Sequence, residues 1–182
     1  MKVAFIDRDG VINEYPGDTK YVMGLHEFKL IKGSIEAIKK FKDNGFKVFV
    51  ASNQAGVSKG LYTKDDLDAI DEFIIESLRK VGSAIDQINY CTHTTEDNCD
   101  CRKPKPGLLT KVLKNLEFEP ECSFFIGDTF RDVKTAIAAG CKSVLVLSGK
   151  KKSQDQNEWE IKPDYVFKDL MAAADYLCEE CK

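Results

Sequence analysis

The feature that most constrains this chain is its alternation of short, β-rich, almost wholly apolar runs with longer stretches of helical periodicity. Residues 3–6 (VAFI), 46–51 (FKVFVA), 85–90 (IDQINY), 123–126 (SFFI), 143–147 (SVLVL) and 165–167 (YVF) read as strands. Between or after them, residues 34–44, 63–81, 106–116, 132–139 and 170–177 carry helical patterns. Gly45 and Gly140 stand where helices should stop, Thr63 where a hydroxyl can cap one, and Pro106 in a first turn. A strand with one wet face alternates apolar and polar residues, whereas a strand apolar throughout is covered on both faces. The pattern therefore predicts an α/β fold: a doubly wound parallel sheet in three layers. The 182 residues, 43% hydrophobic and 31% charged, suit one domain over residues 1–182 with an ample core.

Bulk properties narrow the partners. A formal charge of -3 offers no broad attraction for nucleic acid or anionic membranes. No run approaches the ~20 apolar residues of a membrane span, and the N-terminal run is too short for a signal peptide. The expectation is a soluble cytoplasmic monomer with a small-molecule partner, and with neither nucleic acid nor membrane as partner. Residues 150–162 (KKKSQDQNEWEIK) form the most polar segment and read as a surface loop whose lysines could touch an anion. Seven cysteines without a secretory signal argue against a complete disulfide framework and towards thiols used as ligands or core residues.

In doubly wound sheets, ligands bind beyond the carboxyl ends of the strands. Each of four such ends carries chemistry. After the first comes Asp7-Arg8-Asp9-Gly10, two carboxylates on the same side of an extended chain, ~6.6 Å apart. Such a pair can serve a cation and a proton transfer, although Asp-Gly is also a common turn. After the second comes Ser52-Asn53-Gln54, neutral donors suited to phosphate oxygens and equally to an ordinary polar turn. After the third, Arg102-Lys103-Pro104-Lys105-Pro106 supplies cations that can hold an anion or simply face water. After the fourth comes Gly127-Asp128 and then Asp132, where Asp128 can complete a hard-cation site with Asp7. Asp132 can equally be a first-turn acid favoured by the helix dipole.

The order of these motifs over residues 3–148 resembles that of the haloacid dehalogenase (HAD) superfamily of phosphohydrolases. The resemblance implies a Rossmann-like HAD fold and a magnesium-dependent phosphomonoesterase working through an aspartyl phosphate. Asp7 would be the nucleophile and Asp9 the general acid and base. Mg²⁺ would be held by Asp7, the Asp9 carbonyl and Asp128. Ser52 and Lys103 would hold the transferring group, with Asn53 and Gln54 beside them, while Arg102 and Tyr21 would reach the rest of the substrate. Spacings after Gly10 leave no room for a large cap domain, so access should be open between the loop at 13–25 and the loop before Arg102.

That second loop has its own signature. Cys91, His93, Cys99 and Cys101 place three thiols and an imidazole within eleven residues, the donor set of a closed, structural Zn²⁺ site. Zinc would staple the loop at 91–101 and orient the Arg102-Lys103 segment. Cys122 and Cys141 read as small apolar residues, Cys178 and Cys181 offer only weak redox or metal signals, and His26 carries no assignment. A zinc loop followed by Arg-Lys-Pro is similar to two phosphatase groups. One acts on heptose 1,7-bisphosphate in precursor synthesis for lipopolysaccharide or glycoproteins, the other on histidinol phosphate. Residues 11–13, 21–22 and 102–108 lie nearer the heptose group. Thr129, however, stands where that group often has a lysine, which leaves recognition of a second phosphate open.

Overall fold

The computed structural model of the protein describes residues 1–150 and 159–182. Six strands form one parallel sheet: β1 (Val3–Ile6), β2 (Lys47–Asn53), β3 (Gln87–Cys91), β4 (Ser123–Gly127), β5 (Lys142–Val146) and β6 (Tyr165–Phe167). Their order across the sheet is β3-β2-β1-β4-β5-β6. Among the described residues, five α-helices alternate with them: α1 (Ser34–Asp43), α2 (Lys64–Lys80), α3 (Gly107–Leu113), α4 (Phe130–Ala139) and α5 (Leu170–Glu180).

The two cores explain why the central strands are apolar throughout. On one face, Ala4, Ile6, Val48, Val50, Phe124 and Ile126 pack with Ile38 and Phe41 of α1, Ile70 and Ile74 of α2, and Leu177 of α5. On the other, Val3, Phe5, Phe49, Ala51 and Phe125 meet Leu109 and Val112 of α3 and Ala136 of α4. Successive residues of one strand thus serve opposite faces, the period of two of a pleated strand. Burying an aromatic such as Phe124, which is 0% exposed, stabilises the fold by roughly 3–5 kcal/mol relative to alanine.

The chain runs outward from β1 to β3, then returns to lay β4 on the other side of β1. That reversal makes the carboxyl ends of β1 and β4 the crevice where ligands bind. Residues 7–33, between β1 and α1, hold only a short 3₁₀ turn (Leu25–Glu27) and no inserted domain. Among the described residues, no helix is long and apolar enough to cross a membrane.

Several boundaries differ from the sequence reading. β2 continues through Ser52 and Asn53, which pair with Tyr90 and Cys91 of β3 despite their polarity. α4 starts at Phe130, because Asp132 is the third residue of its first turn and accepts hydrogen bonds from the Thr129 amide and hydroxyl. α3 is shorter than expected. The expectation that Cys122 is a free apolar thiol is overturned, as is the weak redox or metal reading of Cys181. They form a disulfide that ties the turn before β4 to the end of α5. Fifty-nine residues separate them, so only the packing of α5 against the sheet brings them together. Cys141 does pack as an apolar residue, and Cys178 is a free, buried thiol. Of the polar segment at 150–162, residues 151–158 lie outside the described residues.

Candidate active site

The ends of β1 and β4 set three carboxylates against one ammonium. Lys103 Nζ lies 2.8 Å from Asp7 Oδ2 and 2.7 Å from Asp132 Oδ1. All three side chains are nearly inaccessible, Lys103 at 3% and Asp132 at 2%. Burial works against the Lys103 ammonium, but Asp132 and Asp7 outweigh it and hold it charged, above its ordinary range. Asp7 is pushed upward, chiefly by burial and then by Asp132, with Lys103 opposing. Its Oδ1 accepts a hydrogen bond from the Arg8 amide at 2.8 Å.

Asp128 is the third acid. Burial first, and then Asp132 and Asp7, push its carboxyl up to about 8. Two glycines make room for it. A Cβ on Gly10 would lie 2.3 Å from Asp128 Oδ2, and one on Gly149 2.1 Å. Gly10 also has φ of +84°, a conformation that only glycine adopts cheaply. The Lys150 amide donates to Asp128 Oδ2 at 2.6 Å, so at least this lysine belongs to the site's framework rather than to a free surface loop. Asp7, Asp128 and Asp132 can bring carboxylate oxygens within 4.8 Å of one another. Three buried acids facing one lysine are short of positive charge, which fits a hard divalent cation held by carboxylates. The chain around Asp9 bridges to Asn13 through the Arg8 carbonyl and the Gly10 amide, a pattern that does not use the Asp9 carbonyl.

The carboxylate of Asp9 stands apart from that cluster. Arg8 Nε and Nη2 donate to its Oδ1 at 3.2 and 3.1 Å, Asn13 Nδ2 donates at 3.0 Å, and Gln54 Nε2 donates to its Oδ2 at 3.0 Å. Asp9 still lines a small cleft of about 110 Å³ with Asp7, Ser52, Asn53, Lys103, Thr129, Arg131 and Asp132.

The loop between β3 and α3 places Lys103. Asn53 Oδ1 accepts from the Lys103 amide at 3.1 Å, and Asn53 Nδ2 donates to the Lys103 carbonyl at 3.2 Å. The Lys103–Pro104 peptide is cis. Upstream, the sulfurs of Cys91, Cys99 and Cys101 lie 3.2–3.6 Å apart, and His93 Nδ1 is 3.7 Å from Cys91 and 3.3 Å from Cys101. A tetrahedral ion with bonds of about 2.3 Å to sulfur needs ligand separations of about 3.7 Å. The four residues thus form a cage of the right size for such a metal. Burial pushes the Cys91 thiol up to about 12, a cost that a bound cation would relieve. Arg102 Nη1 donates to the His93 carbonyl at 3.0 Å, tying the cage to the basic segment.

One expected contact is corrected. Gln54 is 1% exposed and does not line the cleft; its amide is spent on Asp9, Ser52, Arg8 and Tyr62 instead of a phosphate. Tyr21, expected at the rest of the substrate, borders a separate cavity of about 510 Å³ beneath the loop at 13–25, where its hydroxyl accepts from Lys59 Nζ at 3.1 Å. That cavity is bigger than the cleft at Asp7 but contains none of its acids.

One residue, and one role of another, escaped the sequence reading. Arg131 lines both the catalytic cleft and a second one, of about 280 Å³, with Lys103, Arg102 and Lys105. A cation in the first turn of α4 opposes the helix dipole, and that anomaly is the signal that could have found it. Asp132 is the second counterion of Lys103 as well as a capping residue. Thr129, where a lysine is often found, serves that cap with its hydroxyl.

A buried carboxylate beside a buried ammonium, at the reversal point of a parallel sheet and next to acids that could hold a cation, fits a phosphatase of the HAD class. The HAD-hydrolase-like family model matches residues 100–173. The chain is 34% identical over 183 residues to D-glycero-beta-D-manno-heptose-1,7-bisphosphate 7-phosphatase of Neisseria meningitidis, covering 99% of this chain and 96% of that one. It is 39% identical over 150 residues to the enzyme of that name from Pseudomonas putida, covering 82% and 85%. A crystal structure of D,D-heptose 1,7-bisphosphate phosphatase from B. bronchiseptica, complexed with magnesium and phosphate, superposes with a TM-score of 0.91 at 32% identity, covering 99% of both chains. The chain belongs to this family of HAD-like phosphatases.

Proposed function

We propose that the protein is a magnesium-dependent phosphomonoesterase that removes the 7-phosphate of D-glycero-D-manno-heptose 1,7-bisphosphate in the cytoplasm, through an aspartyl phosphate on Asp7. One observation carries the substrate reading. The cleft lined by Arg102, Lys105 and Arg131 shares Lys103 and Arg131 with the catalytic cleft, so one molecule with two phosphates meets cations at both ends. Arg131 supplies there the charge that Thr129 lacks.

Asp7 attacks phosphorus, and the P–O bond to the sugar breaks as Asp9 delivers a proton to the leaving oxygen. Asp9 then takes a proton from the water that hydrolyses the acyl phosphate and frees Asp7. Lys103 Nζ meets Asp7 and Asp132 as ion pairs without hydrogen-bond geometry, so its N–H donors are free to turn to a phosphoryl oxygen. Ser52, 2% exposed, offers a hydroxyl from the end of β2. Asn53 acts through Lys103, whose peptide it holds on both sides. Mg²⁺, held by Asp7, Asp128 and the Asp9 carbonyl, would neutralise charge on the loose transition state. Zn²⁺ in the Cys91–His93–Cys99–Cys101 cage would be structural, because four protein ligands leave no open position.

Phosphate release with Mg²⁺ from heptose 1,7-bisphosphate, histidinol phosphate and an oligonucleotide 3′-phosphate tests this reading. A preference of ~100-fold, about 2.7 kcal/mol in the barrier, for the heptose is expected. The same preference for histidinol phosphate would keep the chemistry and overturn the substrate.

A further inference from the structure

A buried guanidinium and a buried amide sit behind Asp9 without touching the cleft. Arg8 is 0% exposed and Gln54 1%, and taking such groups out of water is costly unless each finds a partner. Their shared partner is one carboxylate. Gln54 Nε2 donates to Asp9 Oδ2 at 3.0 Å and, at 3.3 Å, to Ser52 Oγ, while Gln54 Oε1 accepts from Tyr62 Oη at 2.6 Å and from Arg8 Nη2 at 3.1 Å. Two donors on its oxygen fix the sense of the Gln54 amide, since a flipped amide would set its oxygen against Asp9 and its NH₂ against Arg8 and Tyr62. Arg8 is held in turn beneath the Tyr90 ring, 5.6 Å from its centroid. Left alone, a carboxylate rotates broadly about its last torsion; here both of its oxygens are held.

We propose that Gln54, locked by Tyr62 and Arg8, is a positioning residue that aims the proton-bearing oxygen of Asp9 at the leaving group. This rests on the reading of Asp9 as the proton donor. As the P–O bond breaks, the proton passes from the Asp9 carboxyl to the departing oxygen while the Asp7–P bond forms. An alkoxide needs that proton, and a nitrophenolate leaves without it. Misaiming the acid therefore penalises sugar phosphates selectively.

The test compares kcat/KM on heptose 1,7-bisphosphate and on 4-nitrophenyl phosphate, because kcat/KM includes steps only through departure of the leaving group. Gln54→Met keeps the volume and removes the donor. Its expected loss is about 10- to 100-fold on the sugar phosphate and less than about threefold on the aryl phosphate. Tyr62→Phe, which removes only a hydroxyl, should show the same direction with a smaller ratio, and it serves if Gln54→Met fails to fold. Equal losses on both substrates would overturn the proposal and make the network a packing device. Asp9→Asn separates the two levels. If it too loses both activities equally, the acid role of Asp9 falls and the positioning role with it.

Discussion

Lys103→Met removes the side-chain cation that contacts both Asp7 and Asp132 and keeps most of the side chain's bulk. At the 2.8 and 2.7 Å separations seen here, each contact is worth about 6 kcal/mol of Coulomb attraction at an effective dielectric of 20. Desolvation of the ammonium cancels much of that. Deleting one partner of a buried pair then costs roughly 3–5 kcal/mol, because the carboxylates remain buried without a counterion. The deficit should depend on pH. Asp7 and Asp128 titrate above their ordinary values in the folded protein, Asp128 at about 8. Groups raised in this way contribute stability that is complete below their unfolded value and lost as pH rises through the folded one. Removing Lys103 raises Asp7 further, so the deficit should be small near pH 4 and grow towards pH 8. Urea denaturation in chelator at pH 5 and pH 7.5, with and without Mg²⁺, measures it. Lys103→Met/Asp132→Asn should regain part of the stability and none of the turnover. A metal-free Lys103→Met protein within about 1 kcal/mol of wild type at pH 7.5 would refute the charge-balance argument.

Other outcomes follow from the same geometry. Asp7→Asn should abolish turnover while leaving the metal content of the thiol cage and the fold intact; retained turnover would remove Asp7 from the nucleophile's role. Because the Asp128 carboxyl sits at about 8 without metal, Mg²⁺ should displace close to one proton below that pH and bind more tightly as pH rises towards it. Calorimetry in two buffers of different ionisation heat reads the proton, and no release at pH 6.5 would contradict the crowding of the acids. Gly149→Ala, with its Cβ 2.1 Å from Asp128 Oδ2, should weaken Mg²⁺ binding without altering the zinc content. Stripping metal from the thiol cage should lower both the melting temperature and kcat/KM. Full activity of zinc-free protein would show that Asn53 alone places Lys103.

The sequence showed the architecture because strands covered on both faces must be apolar throughout, as Val3–Ile6 is, and because helix stops such as Gly140 act locally. Asp7, Asp128 and Lys103 were legible because the fold sends strand ends to one crevice. The thiol cage was legible because its four members fall within eleven residues. What could not be read depends on partners chosen in three dimensions. Gln54 meets Arg8 across 46 positions, and Cys122 meets Cys181 across 59. Gln54 was read as a phosphate donor because an amide following a strand can equally serve a ligand or a neighbour, and only the proximity of Tyr62 decides between them.

The two anchors of Lys103 free what lies between them. Asn53 clasps the lysine's peptide, and the thiol cage closes the base of the loop, so residues 95–98, all exposed, make no contact that places Lys103, although Asn98 accepts from Lys105 Nζ. Thr95 and Asn98 nevertheless line the second cleft, where the far end of a substrate would lie. The loop tip can therefore change length and composition while the reacting atoms stay in register. A lineage could acquire a new substrate by rewriting four residues, and an engineer could randomise the same four without risking the catalyst.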